Sequence, residues 1–500
     1  MNYKHKTILL ISVAAIIKLA LGSIVELNND EAYYWTYARQ LQWNYFDHPP
    51  MVGLLIRIFT GNLSFHQEFF MRFPAVLAGA GCTWIIYKTG ALLQDQYTGW
   101  IAACLFTASF YASVIAGLLI LPDTPQLFFW LLSVYILAAL IIKDKKGAAL
   151  RWSLILAGIT IGFCTLSKIH GIFLWIGFLG YAATTKPSLL KNPYLYLSGF
   201  ITLLMLVPSM LWTAGNQFST YNYHSSRVNF NHLHPDSFFR ELFGEFLYSN
   251  PINYILLIGA ILFYKHPQQP AVRLLKWLSF PLIGTVIIIS LFNDTLPHWN
   301  GPAFVALIPY TALYLRNGRY AGIPKIVRYS LGLMVLALLI CVGMINYWPG
   351  SLGSSEMPEH GKNDVTLDMG GWKQFSDSLK QHQTDEKCLF TDYWFPGGHL
   401  DYYTSHKLKL PVKVVGGLND IHHFAWINAH LPVLQKGENA WFITISNFYR
   451  QPPAQLTTHF TRIEAPVRIP QLRNGVIVRY FYVYRLINYT GGLPADGLLK

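Results

Sequence analysis

The chain opens with the apolar run TILLISVAAIIKLALGSIVEL at residues 7–27 and continues directly into the polar, aromatic stretch NNDEAYYW at residues 28–35. A helix that crosses a bilayer needs about 20 mostly apolar residues, and the run at 7–27 satisfies that requirement. The stretch after it begins with amides and carries two adjacent carboxyl groups, Asp30 and Glu31. The sequence therefore predicts a first transmembrane helix that ends in an acidic segment at the membrane surface.

The composition of the whole chain extends this prediction. Of 500 residues, 53% are hydrophobic and only 13% are charged, whereas soluble proteins carry about 25% charged residues. The excess of basic residues, +13 in net charge, lies in short clusters between apolar runs, which is typical of membrane topology and argues against a nucleic-acid partner. The five cysteines are scattered and predict neither a zinc site nor a disulfide framework.

Apolar runs recur along the first two thirds of the chain, and they predict an α-helical polytopic membrane protein with about 11 transmembrane helices. The predicted spans are 7–27, 69–93, 98–120, 124–142, 152–167, 171–185, 194–214, 251–264, 277–292, 303–315 and 329–348. The first run could instead be a cleaved signal peptide, but its loss would break the alternation of the loops.

The loops between these spans differ in charge, and basic loops tend to stay in the cytoplasm. With the N-terminus inside, the cytoplasmic segments hold Lys4, Lys6, Lys143, Lys145, Lys146, Arg151, Lys186, Lys191, Lys265, Arg273, Lys276, Arg316, Arg319, Lys325 and Arg328. The opposite loops hold only Arg39, Arg57, Lys168, Arg227 and Arg240, with Arg72 just inside a span. The asymmetry predicts a multi-pass protein of the plasma membrane with a cytoplasmic N-terminus and an extracytoplasmic C-terminal region.

After Trp348 the composition changes, and residues 349–500 predict a small α/β domain outside the cytoplasm. Short runs of β-branched and aromatic residues predict strands at Cys388–Thr391, Val412–Val415, Ala440–Ser446 and Val476–Leu486. Helices are predicted near 371–381 and 419–431. The predicted domains are therefore 1–348, in the membrane, and 349–500.

Acidic residues indicate where the chemistry lies. Ten of the twelve that precede residue 349 fall on the predicted outer side, and only Asp95 and Asp144 do not. The stretch after the first span is the richest of these regions, and Tyr33, Tyr34, Tyr37 and Leu41 recur there at helical spacing, which predicts a helix lying in the membrane interface. Asp30 could serve catalysis, or it could be a helix N-cap with Glu31 as a first-turn acid.

Several motifs, in their order and with their common outer placement, resemble the bacterial membrane glycosyltransferases of the GT-C superfamily. The most similar group is the protein-mannosyltransferase-like branch, which includes lipid A aminoarabinose transferases and the core-sugar transferases of rhizobia. The motifs are Asp30-Glu31, Tyr45-Phe46-Asp47-His48-Pro49-Pro50, Arg72-Phe73-Pro74, Leu121-Pro122-Asp123-Thr124-Pro125, Leu166-Ser167-Lys168 and His298-Trp299-Asn300-Gly301-Pro302. The resemblance covers roughly residues 1–348, with a weak match at Thr366–Trp372.

The resemblance implies transfer of a sugar from a polyprenyl-phosphate carrier to an acceptor hydroxyl of a lipid, glycan or protein, with inversion at the sugar carbon. A carboxylate must then take the acceptor's proton, for which we expect Asp30, with Glu31 as the alternative. Cations must neutralise the leaving phosphate, and the candidates are Arg72, Lys168, His48 and His298. The residues expected to position substrate are Asp123, Asp47, His170 and Trp299. Predicted interfacial helices at 31–43 and 50–60 would admit the lipid.

Each candidate also has a structural interpretation. Arg72 and Lys168 could be interfacial anchors, Asp123 a helix N-cap, and His298 with Trp299 part of an aromatic belt. His422, His423 and the other histidines of the tail are predicted to be solvated surface. Some relatives use a divalent cation, and Asp30, Glu31, Asp123 and His48 could supply oxygen or nitrogen ligands, but no contiguous metal motif is present.

Two other classes of function compete with the transferase. A lipid or solute transporter often shows repeated halves and broken helices near the membrane midplane, whereas this chain has no half-repeat and concentrates its polar residues in outer loops. A membrane-anchored binding protein would not need eleven spans.

Overall fold

The computed structural model describes residues 2–226, 228–264, 270–316 and 322–499, and helices dominate it as far as Tyr347. Within these residues seven helices are long and apolar enough to cross a membrane: Tyr3–Ile24, Glu68–Leu93, Asp123–Ile142, Gly147–Ser167, Pro193–Gly215, Pro270–Ser290 and Lys325–Tyr347. The pair Pro235–Tyr248 and Pro251–Phe263, bent by 103°, could add an eighth span. The predicted helical membrane fold is confirmed, while the number of eleven spans stays a prediction.

The other predicted spans consist of shorter helices, for local reasons. The run 98–120 breaks at Ser109, which adopts an extended conformation, and continues as a π-helical turn at Tyr111–Ile115. The run 303–315 is interrupted at Leu307, between the helices Gly301–Ala306 and Ile308–Arg316. Arg227, Lys265 and Arg319, which entered the charge analysis of the loops, lie outside the described residues.

The remaining helices are short. They are the α-helices Asn29–Arg39, Met51–Phe59, Gln96–Ala108, Phe173–Thr185, Ser219–Ser225, Trp372–His382, Trp394–His399, His406–Leu408, Leu418–Ile421, Phe424–Asn428 and Ala454–Thr457, the π-helix Leu400–Ser405, and the 3-10 helices Ile169–Ile172, Pro187–Lys191, Pro297–Asn300 and Val365–Met369.

The chain divides into two compact units. The helical unit comprises Met1–Ala20, His48–Leu55 and Met71–Leu338, and the mixed unit comprises Leu21–Asp47, Ile56–Phe70 and Leu339–Lys500. The mixed unit thus combines the tail with the segment that carries Asp30, which the sequence had grouped with the membrane domain. The assignment of 1–348 to a transferase domain and 349–500 to an extracytoplasmic domain stays a prediction.

Small residues let the helices of the helical unit approach closely, as is usual where lipid offers no hydrophobic driving force. A Cβ at Gly158 would lie 2.4 Å from the backbone oxygen of Ser198, and one at Gly177 would lie 2.3 Å from that of Trp277. Two ion pairs also join parts of this unit: Lys186 pairs with Asp144 at 2.9 Å, and Arg316 pairs with Asp95 at 2.9 Å. These pairs join loops that the charge analysis assigned to one side of the membrane.

The mixed unit contains a six-stranded sheet with the order β2-β1-β3-β6-β4, and β5 also pairs with β6. The strands are β1 Leu389–Thr391, β2 Val412–Val414, β3 Ala440–Ile445, β4 Phe460–Ile463, β5 Val467–Arg473 and β6 Val476–Tyr489. β1 is parallel to β2 and β3, whereas β6 is antiparallel to β3, β4 and β5.

The small C-terminal sheet domain predicted from the sequence is confirmed, with two strands added. β4 and β5 were not predicted, although Asn474-Gly475 between β5 and β6 is the turn dipeptide most typical of a hairpin. Both turn residues have positive φ angles, 50° and 78°. The predicted helix 371–381 is present as Trp372–His382, and the predicted helix 419–431 forms two short helices instead.

Candidate active site

A buried ion pair between Lys168 and Asp123 lies at the centre of the candidate site in the helical unit. The helices Asp123–Ile142 and Gly147–Ser167 form an antiparallel hairpin, so the start of one meets the end of the other. Lys168 Nζ lies 2.9 Å from Asp123 Oδ2 and 3.1 Å from Oδ1, and both side chains are less than 5% exposed. Lys168 is therefore not a snorkelling anchor, because its ammonium group is held inside the protein.

The backbone around Lys168 explains why its side chain turns inward. Lys168 ends its helix in an extended conformation, and the chain then doubles back through the 3-10 turn Ile169–Ile172. Gly171 lies so close to Thr165 that a Cβ would be 2.5 Å from the Thr165 nitrogen. The glycine after His170 is thus required by the close approach of the two backbones.

Tyr111 is a third member of this site, and no sequence motif predicted it. Its hydroxyl donates to Asp123 Oδ1 at 3.0 Å, from the π-helical turn that follows the break at Ser109. Its ring lies on Gly301, where a Cβ would be 2.4 Å from ring carbons. The predicted motif around His298 therefore includes a glycine that makes room for Tyr111. π-Helical turns are frequent at functional sites, but this one has no clear signature in the sequence.

Three histidines, His48, His170 and His298, lie within electrostatic range of the ion pair. The rings of His170 and Trp299 have centroids 5.8 Å apart. Burial, reinforced by the Lys168 ammonium, lowers the pKa of His298 to about 4 and that of His48 well below its usual range. Both imidazoles are therefore neutral at pH 7. An approaching anion would raise both pKa values.

Arg72 belongs to the same unit and is 1% exposed. It lies in the first turns of the Glu68–Leu93 helix, shortly before Pro74. A guanidinium that is withdrawn from water does not match the expectation of an interfacial anchor, whose charged end would reach the headgroups.

The mixed unit carries the candidate bases, and its hydrogen bonds distinguish Asp30 from Glu31. The N-cap of the helix Asn29–Arg39 is Asn28, not Asp30. Asn28 Oδ1 accepts from the Glu31 nitrogen at 2.7 Å, and Glu31 Oε2 accepts from the Asn28 nitrogen at 3.1 Å. This capping box occupies the buried carboxylate of Glu31, whereas Asp30 is exposed in the first helical turn.

Asp47 holds the two ends of this segment together. Its carboxylate accepts from the hydroxyl of Tyr33 at 3.1 Å and from that of Tyr37, and the ring of Tyr37 stacks on that of Tyr45 with centroids 3.7 Å apart. The tyrosines expected to face the membrane interface, Tyr33, Tyr34 and Tyr37, are instead 4% exposed or less. That expectation is wrong because helical spacing identifies an aromatic face but not the surface that covers it.

Tail residues pack around the same segment within the mixed unit. The Glu26 carboxylate accepts from the backbone nitrogens of Trp372 at 2.8 Å and Lys373 at 3.2 Å, at the start of the helix Trp372–His382. His399 Nε2 lies 2.9 Å from Asn29 Oδ1, and its ring stacks on Trp372. Glu26 and Asn29, which precede Asp30 in the sequence, are therefore held by residues of the tail. One of these tail residues, Trp372, belongs to the weakly matching motif at 366–372.

The prediction of solvated histidines in the tail is wrong for His422 and His423, which are 6% and 0% exposed. His423 accepts through Nδ1 from the Phe46 nitrogen at 3.3 Å, and its own backbone nitrogen donates to the Tyr33 hydroxyl at 3.0 Å. Burial lowers the pKa of His423 to about 3. Contacts with residues almost 400 positions earlier cannot be inferred from the local polarity of the tail.

The predicted site residues thus fall into two groups. The helical unit holds Asp123, Lys168, His48, His170, His298, Trp299 and Arg72, and the mixed unit holds Asp30, Glu31 and Asp47. Among the residues that the structure describes, no three His, Cys, Asp or Glu side chains are arranged to hold a metal ion. Glu31 lies in a capping box and Asp123 is paired with Lys168, so the ligand set considered from the sequence does not form among the described residues.

The fold and these motifs are similar to those of the membrane glycosyltransferases of the GT-C type, the resemblance that the motifs predicted. Residues 47–212 match the family model described as dolichyl-phosphate-mannose-protein mannosyltransferase. The matched region begins at Asp47 and includes Arg72, Asp123 and Lys168. The structure is similar to that of ArnT from Cupriavidus metallidurans in the apo state, with a TM-score of 0.63 and 13% identity, over 96% of this chain and 98% of that one.

Two further comparisons concern particular relatives. ArnT from the same organism bound to undecaprenyl phosphate matches with a TM-score of 0.63 and 15% identity, over 95% of this chain and 97% of that one. The lipid A galacturonosyltransferase RgtD of Rhizobium johnstonii is 21% identical over 320 residues, which is 62% of this chain. The chain covers 64% of the length of RgtD, which is less than two thirds. The predicted resemblance to the GT-C superfamily is confirmed.

Proposed function

We propose that this chain transfers a sugar from a polyprenyl-phosphate carrier to an acceptor hydroxyl on the outer face of a bacterial plasma membrane. The observation that carries the proposal is the buried Lys168 ammonium, held by Asp123 among neutral imidazoles in the helical unit. A partly desolvated cation, surrounded by hydrogen-bonding rings, suits the phosphate of a lipid that enters from the bilayer.

The phosphate must accept the electron pair of the bond that breaks between the sugar carbon and the phosphate oxygen. Lys168 would stabilise the resulting charge as a point cation, and Arg72 could hold two phosphate oxygens at once. His48 and His298 would donate hydrogen bonds and gain protons as the negative charge develops, because an anion raises their pKa values. Asp123 positions the ammonium group, and we expect His170 and Trp299 to line the path of the sugar.

The acceptor must lose a proton as its oxygen attacks the sugar carbon, and we propose that Asp30 takes this proton. Asp30 is exposed in the first turn of the helix, whereas Glu31 is buried in the capping box. The proton moves to the carboxylate, a glycosidic bond forms with inversion, and the polyprenyl phosphate leaves. Asp47 acts indirectly in this proposal, since it holds the tyrosines of the same helix.

For the sugar we propose only a class, a hexose or a pentose. For the acceptor we likewise propose only a class, a lipid, a glycan or a protein. The binding of undecaprenyl phosphate by ArnT supports a polyprenyl carrier, and the name of RgtD supports a lipid acceptor. The named relatives are transferases, and the transporter alternative gains no support from them.

A deletion strain tests the proposed function. We expect a polyprenyl-phosphate sugar to accumulate and one surface glycan to lose a sugar, and the intact gene should restore both. Complementation with Lys168→Ala should fail, whereas Lys362→Ala, which removes an exposed lysine paired with Glu359, should succeed. If the purified protein moves the lipid-linked sugar across the membrane of vesicles but forms no glycoside, the result would instead support a transporter.

A further inference from the structure

One face of the six-stranded sheet in the mixed unit carries a cavity of about 140 Å³. Residues that oppose each other on antiparallel strands point to the same side of a sheet. Trp441 of β3 opposes Arg485 of β6, and Val467 of β5 opposes Val483 of β6. All four residues line the cavity, so three neighbouring strands contribute to its floor.

The helix Trp372–His382 packs on the same face of the sheet and forms one wall of the cavity. The ring of Phe375 in this helix stacks on that of Phe481 in β6, with centroids 4.0 Å apart. Leu379 and His382, near the end of the helix, line the cavity. The helix ends at His382, and the cavity lies beside that end, where the helix no longer covers the sheet.

The cavity combines an apolar floor with a polar rim. Trp441, Ile469 and Val483 in the floor are at most 5% exposed, whereas Val467 is 49% exposed. The rim residues carry hydroxyl, carboxyl and guanidinium groups, and they are Thr384, Glu386, Glu464 and Arg485. Binding sites for small molecules commonly show this combination, in which apolar surface surrounds a few polar groups that fix the orientation of the ligand.

Two carboxylates hold the guanidinium group of Arg485 in place at the rim. Its Nε donates to Glu386 Oε1 at 2.9 Å, and its Nη2 donates to Asp385 Oδ1 at 2.6 Å. Glu386 is 3% exposed, and Thr384 donates to both of its oxygens at 2.9 Å. No residue in the described part of the chain accepts a hydrogen bond from Arg485 Nη1. A fixed donor group therefore lies beside a fixed carboxylate acceptor.

The volume and the charges of the cavity limit the class of ligand. A cavity of roughly 150 Å³ holds one benzene molecule, so this cavity has room for a single six-membered ring. The carboxylates of Asp385, Glu386 and Glu464 outnumber the basic groups of Arg485 and Arg462 that pair with them. This balance disfavours an anion. A hydrocarbon ring would in turn bury Nη1 of the guanidinium group without an acceptor.

We infer that this cavity is a carbohydrate-binding site that takes one uncharged six-membered sugar ring. Sugar hydroxyl groups both donate and accept hydrogen bonds, so they can pair with Glu386 and with Nη1 of Arg485 at once, while the C–H groups of the ring lie on the apolar floor. Binding of the ring does not rest on the proposed function. Its use for an acceptor glycan does, since Asp30 belongs to the same unit.

The first test measures sugar binding to the unaltered full-length chain by saturation-transfer NMR, in a detergent that has no sugar headgroup. The probes are the methyl glycosides of glucose, galactose and mannose, together with the methyl glycoside of glucuronic acid. We expect the best of the three uncharged probes to bind with a Kd at least about tenfold lower than the glucuronide, a factor that corresponds to about one hydrogen bond to a charged group. Failure of all three to bind, or equal binding of the glucuronide, would overturn the inference.

The second test fills the cavity from its exposed edge. Ala465 lines the cavity and is exposed, so Ala465→Trp should fold normally and should weaken binding of the uncharged glycoside at least about tenfold. The matched control is Ala454→Trp, which adds the same ring at an exposed position away from the lining residues. Unchanged binding by folded Ala465→Trp would contradict the site. If that variant does not fold, the comparison of probes above decides.

Transfer assays separate this inference from the proposed function. If the cavity holds an acceptor glycan, Ala465→Trp should raise the KM for that acceptor at least about tenfold without changing kcat, and Ala454→Trp should leave both unchanged. Glycoside binding by a chain that transfers no sugar would contradict the proposed function and leave the carbohydrate site supported. An unchanged KM in a variant that has lost glycoside binding would contradict the use of the site for an acceptor.

Discussion

His399 Nε2 and Asn29 Oδ1 lie 2.9 Å apart, although 370 positions of the chain separate the two residues. The hydrogen bond connects the tail to the residue directly before Asp30, and stacking of the His399 ring on Trp372 holds it in place. The tail therefore helps to determine the position of the proposed base.

We expect His399→Leu to lower kcat by about tenfold or more while donor affinity stays unchanged, because small displacements of a catalytic group reduce its effectiveness strongly. Single-turnover transfer and donor binding, measured on the same preparation, check this. The control is His430→Leu, which alters an exposed histidine. If kcat is retained in folded His399→Leu, the tail does not position the base.

Asp30→Asn should reduce transfer by about 100-fold or more, the usual contribution of a general base, without altering the thermal stability. Glu31→Gln should remain active, since glutamine can complete a capping box. Glu31→Ala should lose about 1 kcal/mol of stability with the cap. Steady-state rates and unfolding temperatures of the three variants distinguish these effects. An active Asp30→Asn beside an inactive, folded Glu31→Gln would move the base by one residue.

The ion pair of Lys168 and Asp123 allows a separation of stability from function. Each single variant, Lys168→Met or Asp123→Asn, should lose about 3–5 kcal/mol, because it leaves a buried charge without a partner. The double variant should regain most of that stability but should not bind the donor. Thermal unfolding and donor binding of the three proteins check this prediction, and tight donor binding by the double variant would exclude Lys168 as the phosphate ligand.

Acid should destabilise the mixed unit through His423. Burial places its pKa at about 3 in the folded chain, below the ordinary value of about 6.5 in the unfolded chain. The contribution of His423 to the free energy of unfolding is therefore intact above about pH 6.5. Below that pH it falls by about 1.4 kcal/mol per pH unit, because the unfolded chain takes up a proton. Apparent stability measured from pH 7 to pH 4.5 should decline less steeply in His423→Gln, whereas His430→Gln should keep the original slope. Equal slopes in all three proteins would contradict this account.

The predicted orientation can be tested with engineered cysteines, because native Cys388 is only 2% exposed. Val433 is 61% exposed in the mixed unit, and Ala148 is exposed in a loop predicted to be cytoplasmic. We expect an impermeant thiol reagent to label Val433→Cys in cells whose outer membrane has been removed and whose plasma membrane is intact. The same reagent should label Ala148→Cys only after lysis. The opposite pattern would reverse the predicted orientation and the face on which the chemistry is proposed.

The sequence alone determined the helical membrane fold, the sheet domain and the residues at which to look for chemistry. Long apolar runs can be interpreted locally, because lipid forces a helix to satisfy its own backbone hydrogen bonds. Strands β1, β2, β3 and β6 are likewise evident from their β-branched and aromatic residues. The motifs that contain Asp30, Asp123, Lys168 and His298 can likewise be recognised from neighbouring residues in the sequence.

Only the tertiary structure decided which of these residues meet and what each one is free to do. Lys168 and Asp123 are 45 positions apart, and their pairing depends on how two helices pack. The capping of Trp372 by Glu26 and the burial of His423 against Phe46 each join residues more than 300 positions apart. Hydrophobic periodicity shows which face of an element is buried, but it does not identify the partner. The environment that sets a side chain's charge and hydrogen bonds comes from that partner.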